Sequence, residues 1–382
     1  MAVASCAWAH EAWKGETMTE NAIGKPDRVK GKNVHGQVVI LTRSKPEQLG
    51  LFQTFLPEEE EKYSNTIELY DAVPKYFSHS RGMAALRESG KYLPILDREF
   101  EHRGEVYKVQ IHPARIRYKD RREKEFYPSQ REELVEEALR KIACDHLNGV
   151  YLNDQAGVQF TLYELRQELV ARGHAINVPD LIESLKVGNL ATISVQKADG
   201  TAVMQASIFP LLLIVSREEW LKQPKQARCY VQFNPLVTAS IDRLTYRQFD
   251  YMTYMSYKHR LSRWLHKRLS HNYTQAGLLH PYTIRMSTIL RDSGVPQKER
   301  GHDNAREIEK TLKELQSKRV LMAFDKETVR GLRHKIMDIK YTLRPDLDFV
   351  SEAKKANARV IRLSKGLPGR VALLNPQANP KD

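Results

Sequence analysis

Cysteine is scarce in this 382-residue chain: only Cys6, Cys144 and Cys229 occur. Their odd number and wide separation exclude a disulfide framework or a zinc-ligand set, so buried thiols are expected. Long apolar runs are missing too. The longest, IFPLLLIVS (Ile208 to Ser216), is about half a bilayer-spanning helix, and no membrane partner is expected. The opening MAVASCAWAHEAWKGETM has neither the charged start nor the unbroken apolar core of a secretory leader, which points to the cytoplasm, and Met18 is an alternative start. Signatures of catalysis are absent as well. GKP and KGKN lack the spacing of a GxxxxGK[ST] phosphate loop, so no intrinsic ATP hydrolysis is expected. No two histidines flank an apolar residue beside a tyrosine in the manner of rolling-circle nicking enzymes, and the carboxylates show no metal-ligand cluster. The expectation is a protein that is not an enzyme and needs neither cofactor nor metal.

What the chain has in abundance is positive charge. Lys plus Arg number 61 against 47 Asp plus Glu, for a net charge of +14 and a pI near 9.5. A balance this basic suits a polyanionic partner. Hydrophobic residues make up 41%, enough for globular cores in two or three domains.

Residues 1–75 show little periodicity and read as a mostly disordered arm. Order begins where YLPILDREF and GEVYKVQIH alternate around His102-Arg103-Gly104, a hairpin signal. REELVEEALRKIACDHLNG repeats apolar residues at helical spacing. The strand GVQF then leads into TLYELRQELVARG, which opens on a Thr161–Glu164 capping box and closes at Gly173. NVPDLIESLKVG supplies a further helix, with Asn177 or Val178 at its cap, Pro179 at the first helical position and Gly188 at its end. LATISVQKADGTAVMQASIF forms a hairpin around Asp199-Gly200, and RCYVQFNPLV is a long strand able to complete its sheet. Helix, strand, helix, turn, helix, hairpin is the order of a winged helix-turn-helix.

That order recurs. LTYRQFDYMTYMSYKHRLSRWLHKRLSHNY reads as one long helix or two joined ones, followed by the helices YTIRMSTILRDSG and DNAREIEKTLKELQSKRV and by the paired strands VLMAF and IMDIKYTL. The fold class expected is α+β. It comprises two tandem winged-helix domains, at 76–240 and 241–350, between the arm and a basic, flexible tail at 351–382.

The helix from Asp303 to Lys318 is the richest element. Ile308, Leu312 and Leu315 share one face, and Arg306, Lys310, Lys313 and Ser317 share the opposite one. A recognition helix needs this division, with an apolar side locked into its domain and a cationic side entering the major groove. The bland alternative is a solvated face balanced by Glu307, Glu309 and Glu314. In the preceding helix Tyr257, Leu261, Trp264 and Leu265 form an inward stripe, while Arg260, Arg263 and Lys267 line another side and are candidates for phosphate contact. His259, His266 and His271 on this helix read as surface polarity. Lys326, Arg330, Arg333 and Lys335 at the tip of the second hairpin are candidate backbone or minor-groove contacts. The first domain's helix at 178–187 exposes Asp180, Glu183 and Lys186, a poor match to phosphate, so this domain is expected to read less sequence and to serve partner contact or self-association.

GVQFTLYELRQELVARG, RLTYRQFDYMTYMSYKHRLSRWLHKRL and REIEKTLKELQSKRVL resemble plasmid replication initiators with two winged-helix domains, most of all the broad-host-range TrfA-like, RepA-type initiators, over residues 95–345. The resemblance implies a protein of the bacterial cytoplasm that binds repeated sites (iterons) in double-stranded origin DNA. It would open adjacent AT-rich DNA, recruit the host replicative helicase and host initiator, and form a homodimer when inactive. It further implies that the second domain is the stronger base reader.

The arm holds one unusual stretch, EQLGLFQTF, whose apolar side chains stand among charged and turn-forming neighbours. Gln48, Leu49, Leu51 and Phe52 in QLGLF resemble the short peptide with which bacterial proteins bind the replicative sliding clamp, and TrfA-type initiators carry a similar one. Leu51 and Phe52 would fill an apolar pocket, contributing roughly 3–6 kcal/mol before ordering costs, with Gln48 hydrogen-bonding at its edge. The alternative is that the cluster packs on the chain's own first domain. For the whole chain the alternatives are a winged-helix transcriptional repressor with no initiation role and, from another class, a DNA-nicking relaxase.

Overall fold

The computed structural model describes residues 62–365, apart from breaks at 78–79, 88–91, 145–147, 216–221, 223–226, 244 and 332–335. The described chain starts with strand β1 (Tyr63–Ile67), every residue of which is buried, and helix α1 (Glu68–Ala72). Order therefore begins well before residue 76. The polar run Ser64, Asn65, Thr66 masks the stretch in the sequence, yet Ile67, Tyr70 and Val73 all enter the first core. β1 pairs antiparallel with β12 (Tyr246–Asp250), which corrects the expectation of continuous helix there: Tyr246 and Phe249 stand three apart, as on a helix, but all five residues of β12 are taken into the ladder with β1.

The first half is a mixed α/β assembly. Short helix α2 (Ser80–Leu86) precedes the hairpin β2 (Leu96–His102) and β3 (Glu105–His112), which turns through Arg103 and Gly104 at φ 52° and 79°. A second hairpin, β4 (Ala114–Arg117) and β5 (Glu123–Phe126), leads into α3 (Gln130–Cys144). Then come β6 (Gly149–Leu152), β7 (Gln155–Thr161), α4 (Leu162–Ala171) and α5 (Val178–Leu190), followed by β8 (Thr192–Lys197) and β9 (Ala202–Ser207). The capping box is present, with Thr161 Oγ1 accepting from the Glu164 amide and the Glu164 carboxylate accepting from the Thr161 amide. Asn177 caps α5 through the Asp180 amide. Leu134, Val135, Leu139, Leu165, Leu181 and Leu185 close the first core between these helices and the sheets.

Strand pairing differs from the simplest reading. β8 and β9 join β2 and β3 in one sheet of order β2-β3-β8-β9. RCYVQFNPLV splits into β11 (Arg228–Gln232) and α6 (Pro235–Asp242), because Asn234 and Pro235 form a helix start. With β10 (Leu212–Leu213), β11 enters a different sheet, of order β10-β11-β7-β6.

After β12 come short α7 (Tyr251–Met255) and α8 (Arg260–Asn272), which begin the second half. Strand β13 (Tyr282–Arg285), α9 (Met286–Ser293), α10 (Gly301–Ser317) and the hairpin β14 (Leu321–Arg330) and β15 (Ile336–Pro345) follow, with sheet order β13-β15-β14. The second core runs from Tyr257 to Val350 and includes Leu261, Trp264, Leu265, Ile308, Leu312, Leu315 and Tyr341. The expected loose tail from 351 instead continues helix α11 (Leu347–Lys365), in which Ala356 is buried beyond Phe349 and Val350 of the second domain. Basic composition hid these apolar positions. Among the described residues no helix is long and apolar enough to cross a membrane.

Gly157 marks a close approach of two strands. A Cβ there would lie 2.5 Å from the Val231 carbonyl oxygen and would strike the Tyr230 hydroxyl. Because a backbone atom of a paired strand cannot step aside, Gly157→Ala is expected to cost about 2–3 kcal/mol of stability, measured as a lower urea midpoint. An unchanged midpoint would mean that β7 and β11 are not packed this closely.

Candidate nucleic-acid interface

Helix α10 separates its side chains as a groove-reading helix must. Ala305, Ile308, Leu312 and Leu315 are buried in the second core, and Arg306, Lys310, Lys313 and Ser317 are exposed on the far side. The three glutamates that could neutralise that surface are drawn to its flanks. Glu307 pairs with Lys298 at 3.6 Å, and Glu309 with Lys326 at 2.6 Å. Glu314 accepts from the Lys258 amide at 2.7 Å, the His259 amide at 3.3 Å and the Ser262 hydroxyl, and so caps the start of α8. Among the described residues Arg306, Lys310 and Lys313 face no carboxylate partner. Ser317 is less free, since its hydroxyl donates to the Glu314 carbonyl at 2.7 Å.

The hairpin contributes unevenly. Lys326 sits midway along β14, opposite Tyr341, and its ammonium serves Glu309. Arg330 is exposed at the end of β14, opposite Ile336. Arg333 and Lys335 lie outside the described residues, as do Gln48, Leu49, Leu51 and Phe52 of the arm.

For α8 the structure reverses the expectation. Arg260, Arg263 and Lys267 are 8%, 0% and 7% exposed, and they face the first half. Arg263 Nε lies 3.4 Å from Glu133 of α3, and Arg260 Nε 3.9 Å from the same carboxylate. Lys267 pairs with Glu137 and, at 3.3 Å, with Asp71 of α1. Asp71 also receives both terminal nitrogens of Arg140, which in turn holds Glu136 at 2.6 Å, and Lys75 stands 3.8 Å from Asp71. Phosphate contact by these three α8 cations is excluded in this arrangement, because α3 and α1 already supply their anions.

Electrostatics follow from the packing. Burial alone would raise the Asp71 carboxyl, but Arg140, Lys267 and Lys75 outweigh it and hold the group well below the usual carboxylate range. Burial raises Glu137, and it brings the Lys75 ammonium down to about 8. Of the three histidines expected as surface polarity, His259 is exposed, His266 is buried and His271 is half-buried. His266 is buried edge-on to Phe249 and Tyr257, and burial lowers its pKa to about 4. His271 contacts Thr66 Oγ1 at 3.0 Å, and burial lowers it to about 3. Cys144 and Cys229 are buried free thiols. Among the described residues no group of three or more His, Cys, Asp and Glu is placed to hold a metal.

One cationic element was not singled out from the sequence. The hairpin β4–β5 carries Arg115, Arg117, Lys119, Arg121, Arg122 and Lys124, all exposed, while Ala114 and Ile116 point inward. The legible signal was that alternation, basic out and apolar in, across ARIR.

No protein-family model matches the sequence, and no curated relative is detected. Solved structures do show likeness. A structure of domains 2 and 3 of RctB aligns with 66% of this chain and 91% of its own, at 10% identity and TM-score 0.42. A second structure of RctB domains 2-3 aligns with 68% and 94%, at 8% identity and TM-score 0.40. The Pi initiator protein in complex with iteron DNA aligns with 57% and 95%, at 11% identity and TM-score 0.38. At such values the likeness is one of partial outline.

Arg263→Met separates a junction residue from a DNA contact. Loss of one partner leaves Glu133 buried without its nearest cation, and the expected cost is about 3–5 kcal/mol in urea unfolding, against less than about 0.5 kcal/mol for Lys310→Ala on the open face. Full stability with weakened DNA binding in Arg263→Met would return the residue to the DNA surface.

Proposed function

We propose that this chain is a plasmid replication initiator built on two winged-helix modules, with α10 as its principal reader of duplex DNA. The observation that carries the reading is the clearing of carboxylates from the outer face of α10, which leaves Arg306, Lys310 and Lys313 open to solvent on a helix anchored by Ile308, Leu312 and Leu315. Arginine at such a face can bind guanine edges, and lysine neutralises phosphates. α10 precedes a hairpin that brings Arg330 to solvent, as a recognition helix precedes a wing. The net charge of +14 supports a polyanionic target, and the sequence resemblance supplies the biological setting.

In this reading the protein is not an enzyme and needs no cofactor. It works in the bacterial cytoplasm, occupies repeated sites beside an AT-rich stretch, and leaves chemistry to the host clamp, helicase and initiator that it recruits. An inactive homodimer and a role in copy control belong to the same reading. A repressor alone would have no use for the QLGLF peptide.

Arg306→Ala, Lys310→Ala and Lys313→Ala together are expected to abolish footprints on the DNA flanking the protein's own gene without lowering its unfolding midpoint. The slope of log affinity against log salt should fall by up to about 2.7. Regularly spaced protection by the unmodified protein marks an initiator, an isolated operator footprint marks a repressor, and normal occupancy by the triple variant overturns the assignment of α10.

Leu51→Ala with Phe52→Ala is expected to remove binding to purified sliding clamp in surface plasmon resonance while leaving DNA affinity unchanged. Clamp binding that survives this change would remove the peptide from the mechanism.

A further inference from the structure

In the first half, α5 stands where α10 stands in the second: the second helix of a pair, followed by a hairpin. One side of it is not open. Ala114 and Ile116 of β4, with Phe126 of β5, pack on Val187 and Ala191 and roof the helix. The Tyr118 hydroxyl donates to Glu183, and the Arg131 guanidinium holds the same carboxylate at 3.1 Å. The side of α5 that stays exposed carries Pro179, Asp180, Lys186 and Leu190, one cation against one carboxylate, and offers phosphate little.

What stands above it instead is the cationic hairpin. Glu125 is buried and taken by Arg115 at 2.8 Å, Asp120 binds Arg122 Nε at 2.6 Å, and Glu123 is 4.0 Å from Arg117. Lys119, Arg121 and Lys124 have no carboxylate partner among the described residues. The pairs that do form at Arg117 and Arg122 are solvent-exposed, with side chains 66% and 84% accessible, so they can be exchanged for phosphate at little cost.

From this we infer that the β4–β5 hairpin is the first half's contact with duplex DNA and grips phosphates in place of α5. A two-stranded ribbon is narrow enough for the major groove, and exposed Lys and Arg on a short turn neutralise backbone without reading bases. The contact therefore adds affinity uniformly across sequences, whereas α10 discriminates between them. This inference rests on the DNA-binding reading above.

The test uses the full chain, a duplex carrying the flanking repeat and an unrelated duplex of equal length, titrated by fluorescence anisotropy across a salt series. The variant is Lys119→Gln, Arg121→Asn and Lys124→Gln, with asparagine chosen because Arg121 has φ 64°. The expected result is a loss of at least tenfold on both duplexes at about 0.15 M salt, with the log–log slope lower by up to about 2.7 and the unfolding midpoint unchanged. A charge-keeping variant, Lys119→Arg with Lys124→Arg, should retain wild-type affinity and slope. An unaltered slope in the neutral variant overturns the inference and leaves the hairpin to an acidic protein partner. So does an equal loss in the charge-keeping one. If the unmodified chain binds neither duplex, the DNA-binding reading itself fails, a result distinct from either of these.

Discussion

The two halves are held to one another by charges removed from water. Lys75, Arg140, Arg260, Arg263 and Lys267 meet Asp71, Glu133, Glu136 and Glu137 where α1, α3 and α8 converge, and each of these side chains is less than a tenth exposed. Stripping water from so many ions is costly, and only close pairing with hydrogen bonds offsets it. A greasy interface tolerates sliding, but this one does not, because a shift of one helical turn would leave carboxylates facing nothing. Asp292 adds a second tie: it is almost fully buried, pairs with Arg268 at 3.0 Å and accepts from the Glu101 amide of β2 at 3.0 Å. The register of α8 on α3 thus fixes where α9 docks, and with it the pose of α10, which packs on α8.

Local signals were legible wherever the determining chemistry was local. The capping box at Thr161, the Asn177 cap, the Arg103-Gly104 and Asp199-Gly200 turns, and the apolar stripe of α10 were all set by residues a few positions apart. Pairing between distant strands was not. Nothing near β8 tells it to join β3 rather than β7, and nothing in Ser64-Asn65-Thr66 announces a strand whose partner lies at 246–250. Residues 1–61 and the tip of the second hairpin fall outside the described part, so the peptide at Gln48 to Phe52 has only its sequence pattern behind it.

The misplacement of Arg260, Arg263 and Lys267 has a specific cause. A basic stripe on a helix looks the same whether its anions are phosphates or carboxylates from elsewhere in the chain. The clue was available 130 residues upstream: Glu133 and Glu137 form an i, i+4 acidic stripe on α3 that complements the i, i+3, i+7 cations of α8. Surplus acids on one predicted helix and surplus bases on another invite pairing within the fold before any external partner is sought. On α10 the same comparison gives the opposite result, since each of its glutamates is satisfied sideways.

Helix α11 returns across the molecule to the point where the described chain begins. Glu352 meets Lys62 at 2.8 Å, and Asn357 links Arg247 of β12 to the Thr274 carbonyl. Lys62 is therefore a fixed anchor on the folded body rather than a drifting end. Phe52 precedes it by ten residues, and even a fully extended chain of that length reaches no more than about 36 Å. A replication ring captured through that peptide would be tethered on a short leash beside α11, at an effective concentration set by the length of the leash more than by the grip of two apolar side chains.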